Sequence, residues 1–124
     1  MSHNGAYTNE GQGITVLLSD DVTVTFKKVT QKGSTNVKKP ATGPEPPPGQ
    51  KILAYFDIKT TAKHSPPIEI RIHWPSAQET TDPKLWRWYP TTKEWKHITT
   101  RFNKECHLLV GVTPHNLESM FGVT

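Results

Sequence analysis

The sequence predicts an all-β protein, an antiparallel β-sandwich of seven to nine strands with an immunoglobulin-like or jelly-roll-like arrangement. Short runs in which apolar and polar residues alternate recur along the chain, and turn-forming residues separate them. Seventeen threonines and eleven prolines favour short strands and ordered turns over long helices. The 124 residues suit one domain, which should bury about two-thirds of the surface that the unfolded chain exposes.

The N-terminal part of the chain begins with a polar stretch. Residues 1–13 contain glycines and lack periodicity, so we expect a flexible arm followed by a single sandwich domain over residues 14–124. Ile14–Leu18 is predicted to be the first strand. Ser34–Lys39 is short and carries lysines, which suits a sheet edge. Between them Asp21–Val29 is predicted to be a half-buried strand whose apolar face consists of Val22, Val24 and Phe26.

Residues 40–50, PATGPEPPPGQ, contain five of the eleven prolines. Such a segment suits an ordered crossover between the two sheets of a sandwich, or a linker between two domains in an extended polyproline conformation. We favour the crossover, because the roughly forty residues before it contain too few apolar groups to fold alone.

Three apolar strands follow the proline-rich segment. Ile52–Thr60 is the most apolar and should be central, with a core face of Ile52, Ala54, Phe56 and Ile58. Pro67–Trp74 alternates most clearly, and its buried face should consist of Ile68, Ile70, Ile72 and Trp74. In Cys106–Thr113 the residues Leu108, Val110 and Val112 mark the buried face. Residues 114–124 fit either one helical turn or a last edge strand.

The segment KLWRWYPTTKEWKHIT, residues 84–99, holds three of the four tryptophans and is predicted to be a β-hairpin. Its first strand is Leu85–Tyr89, its loop covers residues 90–94, and its second strand is Trp95–Thr99. Because side chains alternate along a strand, Trp86 and Trp88 share one face, and the opposite face carries Leu85, Arg87 and Tyr89.

This hairpin supplies the candidate binding residues, which are Trp86, Trp88, Tyr89 and Trp95. Exposed indole rings could form a platform that stacks on sugar rings. Alternatively the indoles fill the core, as a buried tryptophan does in many sandwiches, and this is the interpretation that we favour. The choice between the two interpretations decides whether the hairpin has a binding role.

The remaining chemistry of the sequence predicts no catalytic or metal site. Six histidines occur without zinc-site spacing or an HExxH motif, so no metal or cofactor is expected. Ser65 follows His64, but nothing around it supplies a base, an orienting group and an oxyanion site, so we predict a protein without enzyme activity. Cys106 is the one cysteine, which excludes an intramolecular disulfide.

Net charge and hydropathy indicate which classes of partner are not expected. The net charge is +4, but the lysines are scattered and form no basic stripe, so nucleic acid is not an expected partner. No run approaches the roughly 18 apolar residues of a membrane span. The N-terminal residues also lack the basic and apolar regions of a secretory signal, so we expect no signal peptide in this chain.

Several stretches of the sequence are similar to those of a known type of module: DVTVTFKKVTQKGST, GPEPPPGQ leading into YFDIKTTA, PPIEIRI, LWRWYPTTKEWKHIT and VGVTPHNLESMFGV. Their order resembles a small β-sandwich accessory module that recurs in secreted and cell-surface proteins of bacteria and archaea. The resemblance implies that GPEPPPG is the crossover between the sheets and that LWRWYPTTKEW is a core hairpin. It also implies a non-catalytic module at the cell surface or outside the cell. The implied partner is an unidentified protein or neighbouring domain, with a polysaccharide as the alternative ligand.

Overall fold

A computed structural model describes residues 6–74, 83–113 and 118–124 of the chain. These residues contain eleven β-strands and no helix, so no helix of the described part could cross a membrane. The strands are β1 (Ala6–Thr8), β2 (Gly11–Ser19), β3 (Val22–Gln31), β4 (Gly33–Lys38), β5 (Ala54–Thr60), β6 (Lys63–His73), β7 (Leu85–Tyr89), β8 (Glu94–His97), β9 (Thr99–Asn103), β10 (Leu108–Thr113) and β11 (Glu118–Val123).

The strands form two antiparallel sheets. One sheet has six strands in the order β1-β4-β5-β11-β7-β8, and the other has five in the order β2-β3-β6-β10-β9. The predicted antiparallel sandwich is therefore confirmed, although the described residues form eleven strands instead of seven to nine. The two additional strands are β1, which lies in the predicted arm, and β9. The predicted second strand of the hairpin ends early, because the chain passes at Ile98 from β8 into β9 of the other sheet.

One apolar cluster fills the space between the sheets. As predicted, the apolar faces of β3 and β6 are buried there, and Ile68, Ile70 and Ile72 are fully inaccessible to solvent. Phe56 and Ile58 on β5 and Phe121 on β11 belong to the same cluster. Residues that alternate with these side chains lie on the outer faces of the sheets.

The predicted N-terminal arm is wrong over residues 6–13, because β1 pairs with β4 and β2 begins at Gly11. The sequence conceals β1 because its buried contact is polar. The Thr8 and Thr35 hydroxyls are hydrogen-bonded at 2.7 Å, and both residues are fully buried. A hydroxyl pair of this kind leaves no apolar alternation in the sequence. Residues 1–5 of the predicted arm lie outside the described residues.

The predicted crossover at residues 40–50 is also wrong. Strands β4 and β5 are direct neighbours in the six-stranded sheet, where Val37 lies opposite Ile58. The segment that joins them, residues 39–53, therefore connects two strands of one sheet, and it links neither two sheets nor two domains. We call residues 39–53 the strap.

Val110 of β10 is buried as predicted, at 3% exposed, but the face of β10 that packs against the other sheet is shifted by one residue from the prediction. Leu109 and Gly111 lie opposite the inward-facing Ile72 and Ile70 of β6, and Leu109 is fully buried. Val112 lies on the outer face and is 39% exposed. The inner face accepts a glycine because a Cβ on Gly111 would lie 2.6 Å from Cδ2 of Leu85 in the opposite sheet. Sheet-to-sheet packing therefore decides the phase of this strand, which its run of apolar residues leaves open.

The C-terminal strand β11 lies between β5 and β7, so it is central and not an edge strand. The alternative of a helical turn after Pro114 falls on residues 114–117, outside the described residues. Strand β4, predicted to be an edge, is second in its sheet, with β1 paired to Gly33–Thr35.

Substitution of Gly111 tests the phase of β10. We expect Gly111→Ala to lower the free energy of unfolding by about 1–3 kcal/mol, because the added methyl group must displace Leu85 within a packed core. The exposed control Val112→Ala should change it by less than about 0.5 kcal/mol. Urea unfolding followed by circular dichroism measures both. The reverse ranking would show that Val112 faces the core.

Candidate functional site

The tryptophan hairpin consists of β7 and β8, with Trp88 opposite Trp95 and Trp86 opposite His97. The predicted alternation is confirmed. Leu85 is fully buried and faces the core, whereas Trp86 and Trp88 point away from the other sheet and are half-buried. Large aliphatic and phenylalanine side chains already fill the space between the sheets, so the favoured interpretation of a core filled by the indoles is wrong for Trp86 and Trp88. Trp95 is buried, at 9% exposed, but it lies outside the cluster between the sheets.

The inner side of β7 also holds a buried cation. Arg87 is 6% exposed, and its Nη1 donates a hydrogen bond to the hydroxyl of Thr113 on the opposite sheet. Its guanidinium carbon lies 5.5 Å from the ring centre of Tyr89 and 5.7 Å from that of Phe121. Burial disfavours the charged form and lowers the pKa of Arg87. Tyr89 therefore packs on the inner side of the hairpin, away from the tryptophans with which it was grouped.

The outer side of the six-stranded sheet carries an aromatic face, which we define as Tyr55, Trp86, Trp88, Trp95 and His97. The ring centres of Trp88 and Trp95 are 5.4 Å apart, and those of Trp86 and His97 are 5.2 Å apart. The ring of Tyr55, two strands from β7, lies 6.3 Å from that of Trp95. These separations are typical of aromatic pairs in mutual contact.

The strap lies across this aromatic face and is hydrogen-bonded to it. The indole Nε1 of Trp95 donates to the backbone carbonyl of Glu45 at 2.7 Å. The hydroxyl of Tyr55 donates to the carbonyl of the preceding residue, Pro44, at 3.0 Å. Because proline has no N–H group, a proline-rich backbone has more acceptors than donors, and the two aromatic donors match that excess.

A trough runs between Tyr55 and Trp95, and Gly122 forms its floor. Gly122 lies opposite Tyr55 on one side and Trp86 on the other. The trough exists because glycine leaves this position empty. A Cβ on Gly122 would lie 2.9 Å from Cδ1 of Ile52 and 3.3 Å from Cη2 of Trp95. Ile52 of the strap therefore enters the space above Gly122, and it does not join the core face of β5 as predicted.

The strap has its own local order. The N–H of Gln50 donates to the carbonyl of Pro47 at 3.0 Å, which closes a turn with Gly49 at φ 76°. Proline followed by glycine with positive φ is the preferred pair at the centre of a type II turn. At the other end, a Cβ on Gly43 would lie 2.6 Å from the ring of Tyr55, so the backbone rests directly on that ring.

The start of the strap is fastened to the five-stranded sheet by an ion pair. Nζ of Lys39 lies 2.6 Å from Oδ1 of Asp21, in the turn between β2 and β3, and Ser19 donates a second hydrogen bond to that carboxylate. Partial burial raises the pKa of Asp21. The hydrogen bonds from Lys39 and Ser19 and the charge of Lys39 outweigh this effect, and the net result is a lowered pKa.

Sequence reasoning identified the tryptophans but missed their strap contacts and the residues Tyr55, Gly122 and Ile52. Tyr55 could have been noticed, because alternation from Phe56 places it on the outer face just after the proline-rich segment. The role of Gly122 could not have been noticed, because no local sequence pattern shows which strand lies between Tyr55 and Trp86. Within the described part of the chain, no group of three or more His, Cys, Asp or Glu side chains could hold a metal ion.

Comparison of the chain with protein-family models, with curated proteins and with solved structures found no match. The candidate site is therefore defined by its own geometry, as an aromatic face whose indole and phenol groups bind peptide carbonyls.

Removal of the Tyr55 hydroxyl tests the attachment of the strap. We expect Tyr55→Phe to lower the free energy of unfolding by about 0.5–1.5 kcal/mol, because the Pro44 carbonyl loses its donor while the ring contact remains. Trypsin should also cleave faster after Lys51, an exposed residue of the strap. Tyr7→Phe is the matched control, since Tyr7 is 66% exposed. Equal cleavage rates in the two variants would contradict the attachment.

The ion pair between Lys39 and Asp21 predicts a pH dependence. A pKa that folding lowers contributes stability above the unfolded value of 3.8, and that contribution is lost as the pH falls through the folded value. We expect Lys39→Met to raise the pKa of Asp21 and to reduce the loss of stability between about pH 5 and pH 2. Carbon NMR titration of the carboxyl group and urea unfolding measure both effects. Lys59→Met, a control on the six-stranded sheet, should leave the pKa of Asp21 unchanged.

Proposed function

We propose that this chain is a non-catalytic structural and protein-interaction module of a larger surface or extracellular protein, of the small β-sandwich accessory type. One observation carries the proposal. Two side chains of the aromatic face, Trp95 and Tyr55, donate their hydrogen bonds to consecutive peptide carbonyls, those of Glu45 and Pro44. The aromatic face thus binds polypeptide, and in the first instance it stabilises the fold by holding the strap.

The orientation of the remaining indoles also supports a protein ligand. A sugar ring stacks on an open aromatic face. The Trp88 ring is inclined by 58° to that of Trp95 and packs against it, and the Trp86 ring is inclined by 40° to that of His97. Nε1 of Trp86 donates to the hydroxyl of Thr124, within the protein. These contacts leave the two rings half-buried and tilted against their neighbours.

Carbohydrate binding is the second candidate function. It is favoured by Trp86 and Trp88, which lie on the outer face, keep part of their ring surface accessible, and are two residues apart on one strand. Trp95 would take part through its contact with Trp88. A polysaccharide would then stack on the hairpin, and the strap would have only a structural role.

A cell-binding experiment separates the two functions. The fluorescently labelled chain is added to intact cells of the organism that encodes it, after the cells have been treated with protease or with periodate. We expect protease to abolish retention, because the partner is polypeptide, and periodate, which destroys sugar rings, to leave it unchanged. Loss of retention after periodate alone would overturn the proposal in favour of the carbohydrate.

Variants on the hairpin make the same distinction. If the ligand is a polysaccharide, Trp86→Ala and Trp88→Ala should each abolish retention on untreated cells while near-ultraviolet circular dichroism shows an intact fold. For a protein ligand bound through the strap side of the aromatic face, we expect Trp95→Phe to weaken retention more than Trp86→Phe. No saturable retention on untreated cells would contradict both functions.

A further inference from the structure

We infer that the trough between Tyr55 and Trp95 is a receptor for proline-rich segments of other proteins, and that the strap is its intramolecular competitor. The inference rests on the proposed function, because it names the chemistry of the protein partner for the same aromatic face. The strap defines that chemistry, since it is the peptide that the trough already holds.

The chemistry of the trough suits a proline-rich backbone in three respects. The rings of Tyr55 and Trp95, with centres 6.3 Å apart and inclined by 40°, border it and present apolar surface, and the strap backbone at Gly43 rests on the Tyr55 ring. Nε1 of Trp95 and the hydroxyl of Tyr55 donate to consecutive carbonyls of the bound segment. The floor at Gly122 leaves room for one aliphatic side chain, which is now Ile52. Aromatic grooves that donate hydrogen bonds are a general means of recognising preformed polyproline helices.

Preorganisation explains why proline matters in the ligand. Within residues 43–49 of the strap, four residues precede a proline: Gly43, Glu45, Pro46 and Pro47. A residue before proline is restricted to extended conformations, and proline itself has a fixed φ. Such a segment loses little conformational entropy on binding, so two hydrogen bonds and ring contacts are sufficient to hold it.

The strap can leave the trough because it is held by few bonds. Its described hydrogen bonds to the aromatic face are those of Tyr55 and Trp95, and the Leu53 N–H at its end donates to the carbonyl of Val123. The pairing of β4 with β5 involves residues outside the strap, from Thr35 to Lys38 and from Asp57 to Thr60. Displacement of the strap therefore leaves both sheets intact.

The source of the competing segment is a different protein. In a second copy of this chain, the strap is already held by its own trough through the same bonds, and its short tether gives it a millimolar effective concentration there. Exchange between copies gains no contact. A proline-rich segment of another protein takes over the bonds that the strap gives up. Because its sequence is free to differ from that of the strap, it can have the higher affinity that displacement of a tethered competitor requires.

The test measures binding of a fluorescent peptide, GPEPPPG, which has the sequence of residues 43–49. In the full chain, the triple variant Pro44→Ser/Pro46→Ser/Pro47→Ser keeps the length of the strap and weakens its competition. We expect the peptide to bind this variant about tenfold or more tightly than the unaltered chain, because the intramolecular competitor loses its preorganisation. The peptide GSESSSG should bind at least tenfold more weakly than GPEPPPG.

A second pair of variants locates the binding site. Added to the triple variant, Trp95→Phe should weaken binding of the peptide about threefold to tenfold, the expected loss for one hydrogen bond. Tyr7→Phe is the control, because it removes an exposed aromatic hydroxyl that lies outside the aromatic face, and it should leave the affinity unchanged. Equal binding of the two peptides, or equal effects of the two variants, would overturn the inference.

The unaltered chain provides an independent measurement if the triple variant does not fold. In ¹H–¹⁵N spectra, millimolar GPEPPPG should shift the indole N–H resonance of Trp95, because this group donates to the carbonyl of Glu45 in the strap. An unshifted Trp95 resonance refutes the inference. A concentration-dependent dimer that the peptide dissociates would also overturn it, in favour of strap exchange between copies. If the peptide fails to bind but protease-sensitive retention on cells persists, the inference is wrong and the proposed function stands.

Discussion

The structure depends on one continuous apolar core between two sheets, whose inner faces carry most of the aliphatic side chains of the described residues. Leu, Ile, Val and Phe together make up 26 of the 124 residues, so little apolar surface remains for any second core. The isoleucines of β6 and the phenylalanines of β5 and β11 share one cluster. At about 25 cal/mol for each Å² of apolar surface removed from water, burial of these side chains is the main stabilising contribution to the fold.

The position of the tryptophans follows from that constraint. With Leu85 and Arg87 facing inward, alternation along β7 places Trp86 and Trp88 outside, and the pairing of β7 with β8 adds Trp95 to them. A cluster of tryptophans that was fully exposed would be unusual on a soluble protein, and a large apolar patch generally marks a surface that another segment covers. The strap covers part of it, so the tryptophans belong to a second, smaller contact layer outside the sandwich.

The strap is held on the aromatic face because its backbone is rich in hydrogen-bond acceptors and poor in donors. Nε1 of Trp95 and the hydroxyl of Tyr55 need acceptors once their rings are partly buried, and the carbonyls of Glu45 and Pro44 need donors. Each aromatic donor is thus paired with a carbonyl acceptor, and no hydrogen bond between strands is needed to pair them. The attachment of the strap therefore depends on its backbone carbonyls.

What the sequence by itself determined is the all-β class, most of the strands, the buried faces of β3 and β6, and the alternation within the tryptophan hairpin. These properties follow from local patterns of period two, in which the polarity of each residue indicates the face of the strand on which its side chain lies. Strand β1 was missed because its buried contact joins hydroxyls, and β10 was assigned the wrong face because Leu, Leu, Val and Val offer two phases of similar hydrophobicity.

Only the tertiary structure decided that β4 and β5 are neighbours, that the strap returns to its own sheet, and that Gly122 lies between Tyr55 and Trp86. These facts depend on the order of the strands in each sheet. Residues far apart in sequence establish that order together, because both sheets must bury their apolar faces. Trp95 and Glu45 are fifty positions apart, and no local pattern connects them. Trp95 could therefore be predicted from the sequence as a candidate residue, whereas Tyr55 and the carbonyls that both side chains bind became visible only when the sheets placed the strap on the aromatic face.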